Sequence, residues 1–172
     1  MGLATIGVGL SMGVAAIGAG IGTGIAGAAS TAGVAEDPKQ FGMSLVMCAI
    51  PQTQGVYGFL GGMMILIGTG ILGGPAGFAA AATKMAPILG TTPEQAAVVM
   101  GLACVGAGLG NGLGGITAIG QGITCAANIG SVMKNPAIFG KAVVLAAMSE
   151  TFAVFSLVTA LLILIGMKIM GG

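Results

Sequence analysis

Charge divides this chain before any other property does. Five basic and four acidic side chains are all that its 172 residues carry, and most of them punctuate apolar runs. Met1–Ala35, Gln40–Thr83 and Gln95–Met133 contain no charge, and Ala142–Met167 contains one, Glu150. A soluble domain of this length would need a charged exterior, about a quarter of its residues; here the charged share is 5% and the mean hydropathy is +1.09. Each run is longer than the roughly 20 apolar residues that cross a bilayer as a helix. The expected fold is therefore an all-α membrane protein with four transmembrane helices, near Leu3–Ala32, Ser44–Leu72, Ala96–Val132 and Ala142–Met167.

Several function classes drop out at once. No basic stretch precedes the first apolar run and Ile6 breaks the myristoylation pattern, so neither a cleaved leader nor an acyl anchor is expected. Cys48, Cys104 and Cys125 fall inside spans without a CxxC motif and read as small buried apolar groups. A net charge of +1 offers nucleic acid no electrostatic footing. GTGIAG at Gly22–Gly27 and GNGLGG at Gly110–Gly115 match a dinucleotide pattern, but neither follows a strand.

The chain repeats itself. Ile21-Gly22, Gly24-Ile25 and Ala28-Ala29 return 98 positions later as Ile119-Gly120, Gly122-Ile123 and Ala126-Ala127. Pro38 and Phe41-Gly42 return at the same offset as Pro136 and Phe139-Gly140. Two duplicated hairpins follow: residues 1–72, then a connecting loop at 73–91 holding Pro75 and Pro87, then residues 92–172. Thr92-Pro93-Glu94-Gln95 reads as a helix start, with a Thr cap, Pro at the first helical position and Gln at the third. Both hairpins sit the same way up, so the short loops 36–42 and 134–141 share one side. Lys39, Lys134 and Lys141 there, against Lys84 and Lys168 opposite, make that side cytoplasmic.

Glycine is concentrated on the odd-numbered spans: ten in 1–35, ten in 96–133, one in 142–167. Gly9/Gly13, Gly18/Gly22, Gly20/Gly24, Gly106/Gly110/Gly114 and Gly108/Gly112 are four residues apart, the spacing at which small residues let helix backbones approach in lipid. Packing inside a single bundle would use part of this. A closed ring of copies, with the odd helices crowded at small radius, would use all of it.

Polar groups inside the spans are few. At about 1.5 Å per residue, Glu150 lies roughly 13 Å in from Lys141, within a hydrocarbon layer about 30 Å thick. An ionisable group at that depth costs about 3 kcal/mol on insertion scales and usually marks a site. Thr53, Gln54 and Tyr57, just after Ile50-Pro51, share one helix face. Gln121 sits on the third span. At the repeat offset Glu150 corresponds to Gln52 and Gln121 to Thr23, so one ionisable site per chain is expected. One carboxylate, two amide oxygens and a hydroxyl suit a hard cation; a proton carrier needs only the acid. Pro51 interrupts its helix and can free a carbonyl nearby. Ser149, Thr151, Ser156 and Thr159 read as hydroxyls that join helices.

These residues resemble the rotor proteolipid (the c- or K-type subunit) of V-type and A-type rotary ATPases. Duplicated hairpins with glycine-rich odd helices carry the likeness over nearly the whole chain. Its specific part is Ile50-Pro51-Gln52-Thr53-Gln54-Gly55-Val56-Tyr57-Gly58-Phe59, Gln121 and Ser149-Glu150-Thr151, and it looks like the sodium-transporting branch. The resemblance implies Na⁺ as the cargo, held by Glu150, by side-chain oxygens of Thr53, Gln54 and Gln121, and by the Ile50 carbonyl, with Tyr57 hydrogen-bonded to Glu150. It further implies a homo-oligomeric ring in a prokaryotic cell membrane, a stator subunit whose basic residue displaces the ion, and central-stalk subunits on the cytoplasmic loops. The chain itself would hydrolyse no nucleotide. Ser149 stands where a Pro often precedes the acid, and the 73–91 connection is long for the family. Two rivals stay open: an H⁺-carrying ring of the same family, and a small four-helix secondary transporter of organic cations. The latter would favour aromatic residues around the acid, yet the chain has no Trp and one Tyr.

Overall fold

The computed structural model describes residues 1–170; residues 171–172, the end of the second expected hairpin, lie outside the described residues. Within that range the chain is helical, with no strand. α1 (Gly2–Glu36) is unbroken. A corner at Pro38–Gln40 leads into α2 (Phe41–Ala49), and a single 3₁₀ turn at Ile50–Gln52 separates α2 from α3 (Thr53–Gly68). α4 (Gly74–Leu89) follows, then α5 (Pro93–Gly115) and α6 (Ala118–Lys134). A second corner at Pro136–Ile138 leads to α7 (Phe139–Ala147) and α8 (Glu150–Gly166). Gly2–Glu36, Pro93–Lys134 and Pro136–Gly166 are each long and apolar enough to cross a membrane. Pro38–Gly68 passes that test together with Ile71–Leu89, from which it is bent by 57°.

The segment expected as a connecting loop is the main correction. Residues 74–89 form a helix, so the described residues make five helical rods where four were expected. Pro75 sits in the first turn, where a missing N–H costs nothing, and the Ala-rich run behind it is a strong helix former. Phe78, Ala82, Met85 and Ala86 are buried, a spacing that lays one face of α4 on the bundle end. Left-handed glycines bound the element: Gly70 (φ 69°) turns the chain after α3, and Gly90 (φ 64°) caps α4. The next helix starts as its sequence indicates, with the Thr92 hydroxyl accepting from the Gln95 N–H and the Gln95 side chain accepting from the Thr92 N–H.

The repeat is visible in three dimensions. Asp37 and Asn135 have matching extended backbones, and their side chains accept from Lys39 N and Ala137 N. Ser30 donates to the Ser44 carbonyl at 3.1 Å; its counterpart Asn128 donates to the Ala142 carbonyl at 2.7 Å.

Glycine sets the packing between α1 and the α5–α6 rod. A Cβ on Gly7, Gly18 or Gly22 would fall on the carbonyl of Cys104, Gly115 or Ala118, and one on Gly108, Gly112 or Gly122 would fall on that of Gly7, Leu10 or Gly22. These backbones touch, which only glycine permits. The companion series Gly9, Gly13, Gly20, Gly24, Gly106 and Gly110 has nothing within 4 Å. One glycine stripe is thus consumed inside the chain, and the other is left on an open face apart from Gly114, which packs on Ser156 of α8.

Two apolar clusters hold the bundle. One joins Ala4, Ile65, Phe78, Met85, Met100, Cys104 and Leu164 at the α4 end; the other joins Ala26, Met47, Cys125, Ile129, Val132 and Ala146 near the corners. All three cysteines are free, and Cys104 and Cys125 are core residues. Between these clusters lie the buried side chains of Ser11, Gln54, Asn111 and Gln121.

Candidate functional site

Each rod that carries a candidate residue is interrupted beside it. Ile50–Gln52 is a 3₁₀ turn immediately before Thr53 and Gln54. Residues 116–117 break α5 from α6 four positions before Gln121, and residues 148–149 break α7 from α8 just before Glu150. Such breaks release carbonyls from the helical ladder, and side chains collect them here. The Thr53 hydroxyl lies 3.0 Å from the Ile50 carbonyl, which also accepts the Thr53 N–H. The Ala146 carbonyl accepts from Gln121 Nε2 at 3.0 Å and from the Ser149 hydroxyl at 3.1 Å. Proline accounts for only the first break. The break before Glu150 has Ser149 instead, and its freed carbonyl is held by a side chain from another rod.

The candidate side chains join in two groups. In the first, the Thr53 hydroxyl also lies 3.1 Å from Gln54 Oε1, and Gln54 Nε2 donates to Gln121 Oε1 at 2.6 Å. Both amides are fully buried. With Gln121 on the Ala146 carbonyl, this group runs from Ile50 across three rods to the turn before Glu150. In the second group the Tyr57 hydroxyl donates to Glu150 Oε1 at 2.6 Å. Gln54 and Tyr57, three positions apart on α3, bring the two groups side by side. No hydrogen bond joins the carboxylate to the amide pair among the described residues.

Glu150 itself is half-buried. Around it on the same rod the large exposed side chains are apolar, Met148 at 65%, Phe152 at 63% and Phe155 at 61%, with the Thr151 hydroxyl turned back onto its own helix. The acid therefore sits at the edge of the bundle, reached from outside across an apolar surface. No group of three His, Cys, Asp or Glu occurs among the described residues. A cation here would be held by one carboxylate and neutral oxygens. Amide and carbonyl oxygens have two lone pairs each, so Gln54 Oε1 and Gln121 Oε1 keep one for a cation. The Ile50 carbonyl, which accepts the Thr53 N–H, keeps one when the single Thr53 hydroxyl proton goes to Gln54 Oε1.

Some polar residues behave otherwise than their sequence context indicates. Ser149, Thr151, Ser156 and Thr159 make no hydrogen bond between rods among the described residues: each hydroxyl donates to a carbonyl three or four residues back on its own rod, a local competition typical of these residues. Asn111 and Ser11 were not singled out by sequence, yet Asn111 Nδ2 donates to Ser11 Oγ at 3.0 Å and to the Tyr57 carbonyl at 2.9 Å. The signal was available, since an amide inside an uncharged span needs partners as much as Gln121 does.

Comparison with known proteins bears on this arrangement. A family model that describes the C subunit of ATP synthase matches residues 6–65 and again 105–163, one match in each half of the repeat. The chain is 36% identical over 164 residues to the A-type ATP synthase subunit K of Methanocaldococcus jannaschii, covering 95% of this chain and 62% of that protein. It is 31% identical over 140 residues to the V-type sodium ATPase subunit K of Enterococcus hirae, covering 81% of this chain and 75% of that one. The chain thus spans less than two thirds of the first relative's length.

Proposed function

The chain belongs to the family of ATP synthase C subunits, and from that premise we propose that it is the ion-carrying member of a rotor ring in an A- or V-type rotary ATPase, with Na⁺ as its cargo. The observation that carries this reading is the pairing of Glu150 with Tyr57 beside the linked amides of Gln54 and Gln121, at three adjacent helix interruptions. The name of the Enterococcus hirae relative, a sodium ATPase subunit, favours the same cargo.

In this reading Glu150 supplies the charge, Gln54, Gln121 and Thr53 supply side-chain oxygens, and the Ile50 carbonyl completes the set. Tyr57 holds the carboxylate in one rotamer, as outer hydrogen-bond partners do. Bound Na⁺ neutralises Glu150, and a neutral pair passes the apolar surface of Met148, Phe152 and Phe155 at far lower cost than a bare carboxylate. At the stator a basic residue of that partner takes over as counter-charge, and the ion leaves. The membrane spans are then four, as two duplicated hairpins (1–72 and 92–172), with α4 lying across the bundle end. Copies close into a ring through the open glycine face, and the corners at 36–42 and 134–141 face the cytoplasm and dock the central stalk. The chain moves ions and performs no nucleotide chemistry.

A second cargo is H⁺, favoured by one feature: the carboxylate bonds Tyr57 and not the amides. ATP-driven ²²Na⁺ uptake into vesicles holding the whole ATPase tests the choice. The Na⁺ reading requires uptake that Glu150→Gln abolishes; proton uptake indifferent to Na⁺ transfers the site to H⁺.

A further inference from the structure

One buried polar cluster is left unused by the ion site, and its bonds end on the backbone of the residue that touches Glu150. We propose that Asn111, together with Ser11, is a positioning residue for Tyr57: it fixes α3 at that point and so holds the Tyr57 hydroxyl against Glu150. The assignment rests on the site proposed above, but not on which ion the site carries.

The geometry is specific. Asn111 Nδ2 donates to the Tyr57 carbonyl at 2.9 Å and to Ser11 Oγ at 3.0 Å, and the Ser11 hydroxyl donates to the Gly58 carbonyl at 2.8 Å. Two consecutive carbonyls of α3 are thereby tied to α5 and α1. Successive residues point about 100° apart around a helix axis, so holding two of them stops α3 from rotating. The direction in which Tyr57 reaches is set by that rotation.

Burial and space point the same way. Asn111 is 1% exposed and Ser11 0%, and Asn111 Oδ1 has no hydrogen-bond partner among the described residues. A buried amide with its oxygen unpaired packs worse than an apolar side chain of the same size. What it contributes is its two N–H bonds. α3 makes room for them: a Cβ on Gly61 would fall on Asn111 Nδ2, and one on Gly58 would fall on Ala15 Cβ.

The test is a double-mutant cycle on the purified ring. Labelling of Glu150 by a hydrophobic carbodiimide is timed over a range of Na⁺, including none, in wild type, Tyr57→Phe, Asn111→Ala and the double variant, with assembly checked by native mass spectrometry. Each single variant is expected to raise the Na⁺ needed for half-protection about tenfold, as for loss of one bond to a charged group. The double variant is expected to go no further than the larger single one, because Asn111 acts through the Tyr57 hydroxyl. Effects that multiply, or an Asn111→Ala ring that behaves as wild type, overturn the assignment. Ser11→Ala runs through the same cycle and decides the matter if Asn111→Ala does not assemble. If Na⁺ protects in no ring, the sodium reading fails, and the cycle is read on the Na⁺-free labelling rate instead. Non-additivity there still supports Asn111, and additivity sinks it.

Discussion

Replacing Gln121 by Ala separates ion binding from helix packing, because the structure assigns a partner to each end of its amide. Gln121 Oε1 accepts from Gln54 Nε2 at 2.6 Å, and Gln121 Nε2 donates to the Ala146 carbonyl at 3.0 Å. The Ala146 carbonyl keeps the Ser149 hydroxyl, so only Gln54 Nε2 is stranded. A buried unpaired donor costs about 1–3 kcal/mol, but it is stranded whether or not an ion is bound. That cost lowers ring stability and leaves affinity alone. Affinity changes through the missing oxygen ligand, again by about 1–3 kcal/mol, which is roughly five- to more than a hundredfold in Kd. Equilibrium ²²Na⁺ binding to the purified ring measures it. Asn128→Ala is the control: it removes a similar bond between rods, to the Ala142 carbonyl, yet it should weaken the ring without moving the Kd. A Gln121→Ala ring that assembles and binds Na⁺ with wild-type affinity refutes the role given to this oxygen.

Other expectations concern the ring and the reactive acid. Single Cys replacements at Gly20 and Gly110, whose faces are open, should crosslink neighbouring copies, whereas Cys at Gly22 should disrupt folding because the Ala118 carbonyl occupies its space. Monomers in several mild detergents by native mass spectrometry would count against the ring. Carbodiimide should modify Glu150 alone, leaving Glu36, Asp37 and Glu94 at the corners and the start of α5 unlabelled; modification chiefly at one of these three would remove Glu150 from its role.

The helices were legible because charge marks their ends, and Gln54, Gln121 and Glu150 because a polar group in an apolar span has to be paid for. Tyr57 reaching Glu150 followed from the resemblance, and the bond is present. α4 reads as a loop in the sequence because Pro75 and Pro87 resemble breaks, although one is in the first turn and the other in the last, and Phe78, Ala82, Met85 and Ala86 have helical spacing between them. The break at 148–149 carries neither Pro nor Gly, and its one local mark is the Ser149 hydroxyl on the Ala146 carbonyl. The same carbonyl is also held by Gln121, 25 residues from Ala146 in sequence, a partner that only the fold supplies. Asn111 escaped notice for a related reason: among glycines it resembles packing, and its partners Ser11 and Tyr57 are brought to it only by the fold. The glycine ladder was visible, but its division into an inner and an open stripe required the helices to be placed.

The central claim is that Glu150 binds Na⁺ in competition with a proton, and carbodiimide labelling of Glu150 across Na⁺ and pH tests it most directly. The reagent consumes the protonated acid, whereas Na⁺ binds the carboxylate. Na⁺ should therefore slow labelling, and where the proton dominates the site, each unit fall in pH should raise the Na⁺ needed by about tenfold, as mass action requires. A labelling rate unchanged by Na⁺ up to molar concentration at every pH would contradict the account and leave Gln54 and Gln121 as groups that only join helices.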